Sequence, residues 1–255
     1  AKITNPNYWH LKASTAWALE DDEQLLLVYQ HMEDINITLY RSEVDQLVGL
    51  LSTKNPEKVF ALILQRWKKE RQEQDLMTVV YLAVELNKWD LLQDLVDTNR
   101  ADSQLAQSVP ILFAQASIAE HNLQYSVAES VLLQAIELYP LKNIFRERLL
   151  WLYVSTDQRE LLKPLLVQWQ VLADNSSTLW LAFAAANQML NQTNAAIAWY
   201  QRYINLNPSD WLVQAAFADA LDSAEYFDAA LVLRRSLLNT PLLNGASEAS
   251  YRTWL

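Results

Sequence analysis

Cysteine is absent from the 255 residues and glycine occurs only twice. Without cysteine there is no disulfide framework, no thiolate nucleophile and no zinc finger, and no redox compartment is implied. A chain of this length at average usage would hold about 18 glycines. Two cannot supply a phosphate-cradling loop, a dinucleotide fingerprint or the hairpin turns of an all-β fold. Histidine is scarce as well: His10, His31 and His121 have no ligand partner at i+3 or i+4, so no metal site is expected. No run approaches the ~18 apolar residues of a membrane-spanning helix. There is no signal-peptide pattern, and the first residue is not Met, which reads as a cut in something longer or processed. Positive charge is outnumbered, with 20 Lys and Arg against 30 Asp and Glu and a formal net charge of −10. Neutralising phosphates needs clustered cations, so nucleic acid and anionic membranes are poor partners.

What is present is a period. Pro140 after "AIELY" and Pro208 after "YINLN" lie 68 residues apart, twice 34. Setting Pro208 at the last consensus position of a 34-residue unit starts that unit at Ser177. Trp180 then falls at position 4, Phe183 and Ala184 at 7 and 8, Ala196 at 20 and Tyr200 at 24. The unit from Val109 places Leu112, Ala116, Ala128 and Leu132 at 4, 8, 20 and 24. The unit from Asn143 is weaker but keeps Leu149, Leu150, Tyr153 and Leu166 in apolar slots, and the unit from Trp211 aligns Phe217, Ala218 and Ala230. Upstream the frame continues with slips. A unit from Pro6 holds Trp9, Ala13 and Tyr29, and one from about Ser42 holds Gly49 at position 8 and Ala61 at position 20. The pattern weakens around 73–108, where Thr98 to Ser108 reads as a long loop.

This pattern resembles the tetratricopeptide repeat (TPR), a 34-residue helix–turn–helix. The resemblance implies an all-α fold, a right-handed α-solenoid of about seven repeats forming one domain over 1–255. The repeats lie near 6–41, 42–74, 75–108, 109–142, 143–176, 177–210 and 211–244, with 245–255 a tail or the start of a further repeat. The prolines sit at or near expected helix ends, with Pro164 expected in a first turn, where its missing N–H does little harm. Neither terminus has the polar cap a terminal repeat needs, so the chain reads as an excerpt from a longer array.

Constellations that could carry chemistry reduce to helix physics. Asp21, Asp22 and Glu23 open a helix, where acids favour the positive end of the dipole. "RWKKERQ" (Arg66 to Gln72) reads as a solvated helix end, and Arg234 or Arg235 as a partner along the helix for Asp228 or Glu225. Glu129-Ser130 matches the Glu-Ser pair of superhelical lytic transglycosylases, but it sits inside a repeat helix without the glycine-bearing loops of that catalytic domain. No catalytic residue, cofactor or metal is expected, and the chain reads as not an enzyme.

Most of the ten tryptophans fit core slots. Trp151 differs, because it falls at position 9 of its unit. In stacked repeats of this kind, positions 2, 5, 9, 12 and 13 of the first helix line a concave groove. That rule gathers Phe113, Ser117, Glu120 and His121, then Ile144, Glu147 and Trp151, then Leu181, Ala185, Gln188 and Met189, then Ala215, Asp219 and Asp222. Phe113, Glu120, Glu147, Trp151, Gln188, Met189, Asp219 and Asp222 form the candidate partner-binding set, in which aromatics anchor and acids steer. A protein, a peptide or a cationic polymer would suit it.

The segment Thr178 to Leu238 carries a narrower likeness. "LLVQW" followed by "LWLAFA", then "AFADALD" and "DAALVLRRSLL", resembles the repeats of the Pel-type exopolysaccharide export protein of Gram-negative bacteria. That resemblance implies a periplasmic location ahead of an outer-membrane β-barrel. It also implies an interaction scaffold that docks a polysaccharide deacetylase or hydrolase and guides a cationic, partly deacetylated polymer. Two other readings stay open: a cytoplasmic TPR adaptor or co-chaperone binding peptides, and the solenoid part of a periplasmic glycan-cleaving enzyme. Adaptors that grip carboxylates use Lys, Arg and Asn in the groove, and the candidate set has none.

Overall fold

The structure, a computed structural model, describes residues 5–238. The expected tail or further repeat at 245–255, and the end of the 211–244 repeat, lie outside the described residues. Fifteen α-helices and no strand occur among the described residues, which establishes the all-α repeat fold. Two compact units divide the chain, Ala1–Asn122 and Leu123–Leu255.

The first unit holds α1 (Pro6–Ala18), α2 (Asp22–Asp34), α3 (Arg41–Leu51), α4 (Pro56–Glu70), α5 (Glu73–Glu85), α6 (Trp89–Asn99), α7 (Ser103–Ala106) and α8 (Val109–His121). Helices pack mostly on neighbours in sequence: α1 on α2, α3 on α4, α4 on α5, and α8 on both α5 and α6. The stretch expected as one long loop is divided, because α6 reaches Asn99 and Asp102 caps the short α7 through Gln104 N–H and Leu105 N–H. Asp21 accepts from Gln24 N–H and so starts α2, the helix-opening role its acidic run implied.

The second unit holds α9 (Tyr125–Leu138), α10 (Asn143–Ser155), α11 (Arg159–Asp174), α12 (Trp180–Met189), α13 (Thr193–Leu206), α14 (Trp211–Ser223) and α15 (Phe227–Leu238), with a short 3₁₀ turn at Ser177–Leu179 before α12. Here α10 packs on α9, α11 and α12, while α13 packs on α12 and α14. Pro164 is the sixth residue of α11 and not in its first turn. It therefore removes one hydrogen bond to the Glu160 carbonyl, and the apolar face carrying Leu162, Leu166 and Trp169 compensates by burial.

Side-chain size explains how the helices approach. Ala116, Ala128, Ala184, Ala196, Ala218 and Ala230 are all fully buried, at the positions where the period demands small residues. Tyr29, Leu132, Leu166 and Tyr200 are buried at the large-residue position of the second helix. Gly49 departs from this rule. A Cβ built on it meets nothing within 4 Å, so no neighbour requires its smallness. The buried face of α3 carries Glu43 and Leu47, and Gly49, two residues on, lies about 200° around the helix from Leu47. Gly49→Ala should therefore raise stability by about 0.5–1 kcal/mol through helix propensity. A lower melting temperature for that variant would show that the glycine is needed.

The turns repeat too. Leu123, Asp157, Asn191 and Glu225 take positive φ at 34-residue intervals; Glu20 and Asn87 in the first unit take the same backbone after α1 and α5, out of that exact step. The left-handed residue folds the chain back over its helix end. N–H groups of Asp21, Lys88, Gln158, Gln192 and Tyr226 then donate to the Ala16, Ala83, Tyr153, Asn187 and Leu221 carbonyls at 2.8–3.0 Å. Asn and Asp tolerate this backbone, whereas Leu and Glu do not without cost. Leu123 has φ 58° and an exposed side chain, so Leu123→Gly loses no packing. It should stabilise by about 0.5–1 kcal/mol, read as a higher melting temperature.

Candidate functional site

In the second unit, Glu147 and Trp151 sit one turn apart on α10. Trp151 is 36% exposed, and its indole N–H donates to the Glu147 carboxylate. Glu147 is half-buried, and desolvation raises its pKa against the opposing pull of Trp151 and Arg148. A partly desolvated carboxylate beside an open indole face is poised to take a cation or a hydrogen-bond donor from outside.

Tyr200 of α13 links two further members of the candidate set. Its hydroxyl donates to Gln188 Oε1 at 2.9 Å. Burial, then the charge of Asp219, pushes its pKa up to about 12. Met189 is half-buried at the end of α12. Asp219 and Asp222 lie three residues apart on α14, and both pair with Arg234 of α15, the Asp219 Oδ1 contact being 2.8 Å. Arg234 thus draws carboxylates from the preceding helix, beyond the partners along its own helix that the sequence suggested. Tyr200 and Arg234 are named in the sequence reading but not placed among the candidate site residues. Both occupy position 24 of their repeats, a slot for a large gap-filling residue.

In the first unit, Phe113 is 5% exposed and its ring lies 4.8 Å from that of Tyr81. It is a core residue of the α5–α8 contact, contrary to its expected place on an open face. Glu120 is half-buried on α8. The histidines serve aromatic packing: His121 stacks on Trp89 at 4.0 Å, His31 lies against Trp9, and His10 stacks on Tyr40 while bonding Glu43 at 2.8 Å. Glu129 accepts from the Tyr153 hydroxyl at 2.5 Å, a structural engagement between α9 and α10.

Arg66 also departs from its solvated reading. Asp75 is 1% exposed, and Arg66 Nε and Nη2 grip its two oxygens at 3.1 and 2.7 Å. Arg41 adds contacts to both oxygens at 3.2 Å and reaches Glu70, while Arg66 also meets Asp45. These arginines border a cleft of about 490 Å³ between α2, α3 and α4 that also takes in Tyr29, Glu33, Leu62 and Lys69. Their charges are already matched within the fold, so the cleft offers an incoming anion little. Among the described residues, no cluster of three or more His, Asp or Glu could hold a metal ion. No helix among them is long and apolar enough to cross a membrane.

Paired helices at a 34-residue spacing, with partly exposed aromatic and acidic groups along their first helices, define a helical-repeat protein of the binding type. The family model "Tetratricopeptide repeat" matches residues 1–241, and the chain belongs to that family. No curated protein matches the sequence. Among solved structures, the chain is similar to a tetratricopeptide repeat protein from Parabacteroides merdae at 12% identity and a TM-score of 0.52, covering 78% of this chain and 80% of that one. It is also similar to a chain of the APC/C Cut9–Hcn1 hetero-tetramer, at 16% identity and a TM-score of 0.54. That match covers 91% of this chain and 45% of the other, so the present chain spans under half of that relative's length. At these identities the likeness shows the fold alone. TPR arrays are protein–protein interaction scaffolds and are typically non-catalytic.

Proposed function

We propose that this chain is the periplasmic interaction scaffold of a Pel-type bacterial exopolysaccharide export machine. It docks a polysaccharide deacetylase or hydrolase and guides a cationic, partly deacetylated polymer. The observation that carries the docking role is Trp151, a large aromatic left half open beside the desolvated Glu147 carboxylate. Exposed aromatics with a neighbouring acid are the side chains that anchor a partner. Gln188, Met189, Asp219 and Asp222 extend the candidate surface, with Phe113 removed from it by burial. The "LWLAFA" and "DAALVLRRSLL" segments support the choice of export system, and the net charge of −10 suits a cationic polymer.

A pull-down with this chain from a Gram-negative periplasmic extract tests the reading. Capture of a polysaccharide deacetylase or hydrolase is expected; capture of chaperones alone would overturn it. Trp151→Ala should weaken capture by about 2 kcal/mol, roughly 30-fold in Kd, as for an interface hot spot. Its stability cost should stay near ~1 kcal/mol, since the side chain is 36% exposed. Unfolding of that variant at modest temperature would place Trp151 in the core instead.

A further inference from the structure

Position 4 of the repeat holds Leu112 in α8 and Trp180 in α12, but in α10 it holds Arg146. The residue is 8% exposed. Arg41, Arg66 and Arg234 all meet carboxylates, whereas Arg146 meets none among the described residues. Its Nη1 donates to the Pro140 carbonyl at 2.8 Å and to Asn143 Oδ1 at 3.2 Å. Its guanidinium carbon lies 5.7 Å from the Trp169 ring centroid. Nε is buried without a hydrogen-bond partner, and burial lowers the pKa of the group. A buried charge held by neutral acceptors and an aromatic face lacks the counter-charge that buried charges require.

The bonds to Pro140 and Asn143 aim this side chain at the N-terminus of the 13-residue α10. No side chain caps that end; its N-cap residue is Lys142, and the Asn143 side chain is engaged by Arg146. First-turn N–H groups, the positive end of the helix dipole, an exposed lysine and a guanidinium without a carboxylate therefore converge on one spot. We propose that the start of α10, with Arg146 as its charged donor, is a binding site for an oxyanion, a carboxylate or a phosphate group. The oxyanion accepts from the guanidinium and from first-turn amides together, which a planar fork and a helix N-terminus both favour. It is independent of the Trp151 surface: that face offers an acid and an indole, whereas here the Pro140 carbonyl and Asn143 Oδ1 are already engaged by Arg146, and the groups left over are cations and N–H donors.

The test is an amide NMR titration of the whole chain with inorganic phosphate and, separately, with acetate, at constant ionic strength. Saturable shifts at the Asn143, Ile144 and Phe145 amides and at Arg146 Nε–H are expected. The tighter of the two anions identifies which group a natural ligand presents. Arg146→Leu fills the slot as Leu112 fills its own, so it should melt no lower than wild type while binding about tenfold more weakly. If Arg146→Leu does not fold, Arg146→Lys keeps the charge without the fork and should bind several-fold more weakly. Absence of saturable shifts in wild type, or equal shifts in the folded Arg146 variant, would overturn the site.

Discussion

Asp75→Ala should lower the stability of the first unit by about 3–5 kcal/mol, the cost of leaving partners of a buried ion pair uncompensated. The carboxylate is 1% exposed and sits at the centre of a network, gripped by Arg66 from α4 and Arg41 from α3. Removing it takes both oxygens from Arg66, whose own side chain is only 10% exposed, and leaves it the exposed Asp45 carboxylate alone among the described contacts. Urea unfolding followed by α3–α5 amide exchange measures the effect. Replacing Asp75 and Arg66 together by leucines should recover most of the loss, since apolar residues in place of a buried pair are often neutral. A loss below about 1 kcal/mol for the single variant would show that the pair behaves like an exposed one.

Phe183→Ala should cost the second unit a similar ~3–5 kcal/mol, as large-to-small changes in a well-packed core do. Phe183 is fully buried in α12 and meets the Trp199 ring edge-on at 5.2 Å. The cost depends on how far Trp199, whose ring lies against it, can move into the vacated volume. Thermal or urea unfolding reads it. A cost under about 1.5 kcal/mol would mean that α12 and α13 collapse together after the deletion.

Much of this packing is legible in the sequence because steric needs at helix crossings are local. Alanine at 184, 196, 218 and 230 marks where two helices touch, and each of these residues is fully buried. Pro140 and Pro208 mark the connections between repeats for the same reason. The turn conformation is less visible, since Leu123 and Glu225 stand where glycine would have announced the left-handed backbone. Charge pairing is least visible. Arg66 and Asp75 are nine residues apart on different helices, outside any i,i+4 rule, so Arg66 reads as a solvated helix end. The acids Asp219 and Asp222 are legible as one face of α14, but Arg234 from α15 neutralises them. Phe113 shows the limit of a position rule: its slot opens outward in an idealised repeat, and here Tyr81 covers it.

The three-residue connectors have a consequence for how such a chain changes over time. In the second unit, α10 and α11, α12 and α13, and α14 and α15 are joined by turns of equal length and similar backbone path, at Asp157, Asn191 and Glu225. Losing one residue inside a helix pair would rotate every following side chain on that helix by about 100° and bring polar groups inward. Losing or copying a whole 34-residue block leaves each surviving seam matched to a seam of the same kind. The architecture is therefore modular in steps of one repeat. Its length, and with it the extent of surface offered to a partner, can be lengthened or shortened by recombination without redesigning any single contact.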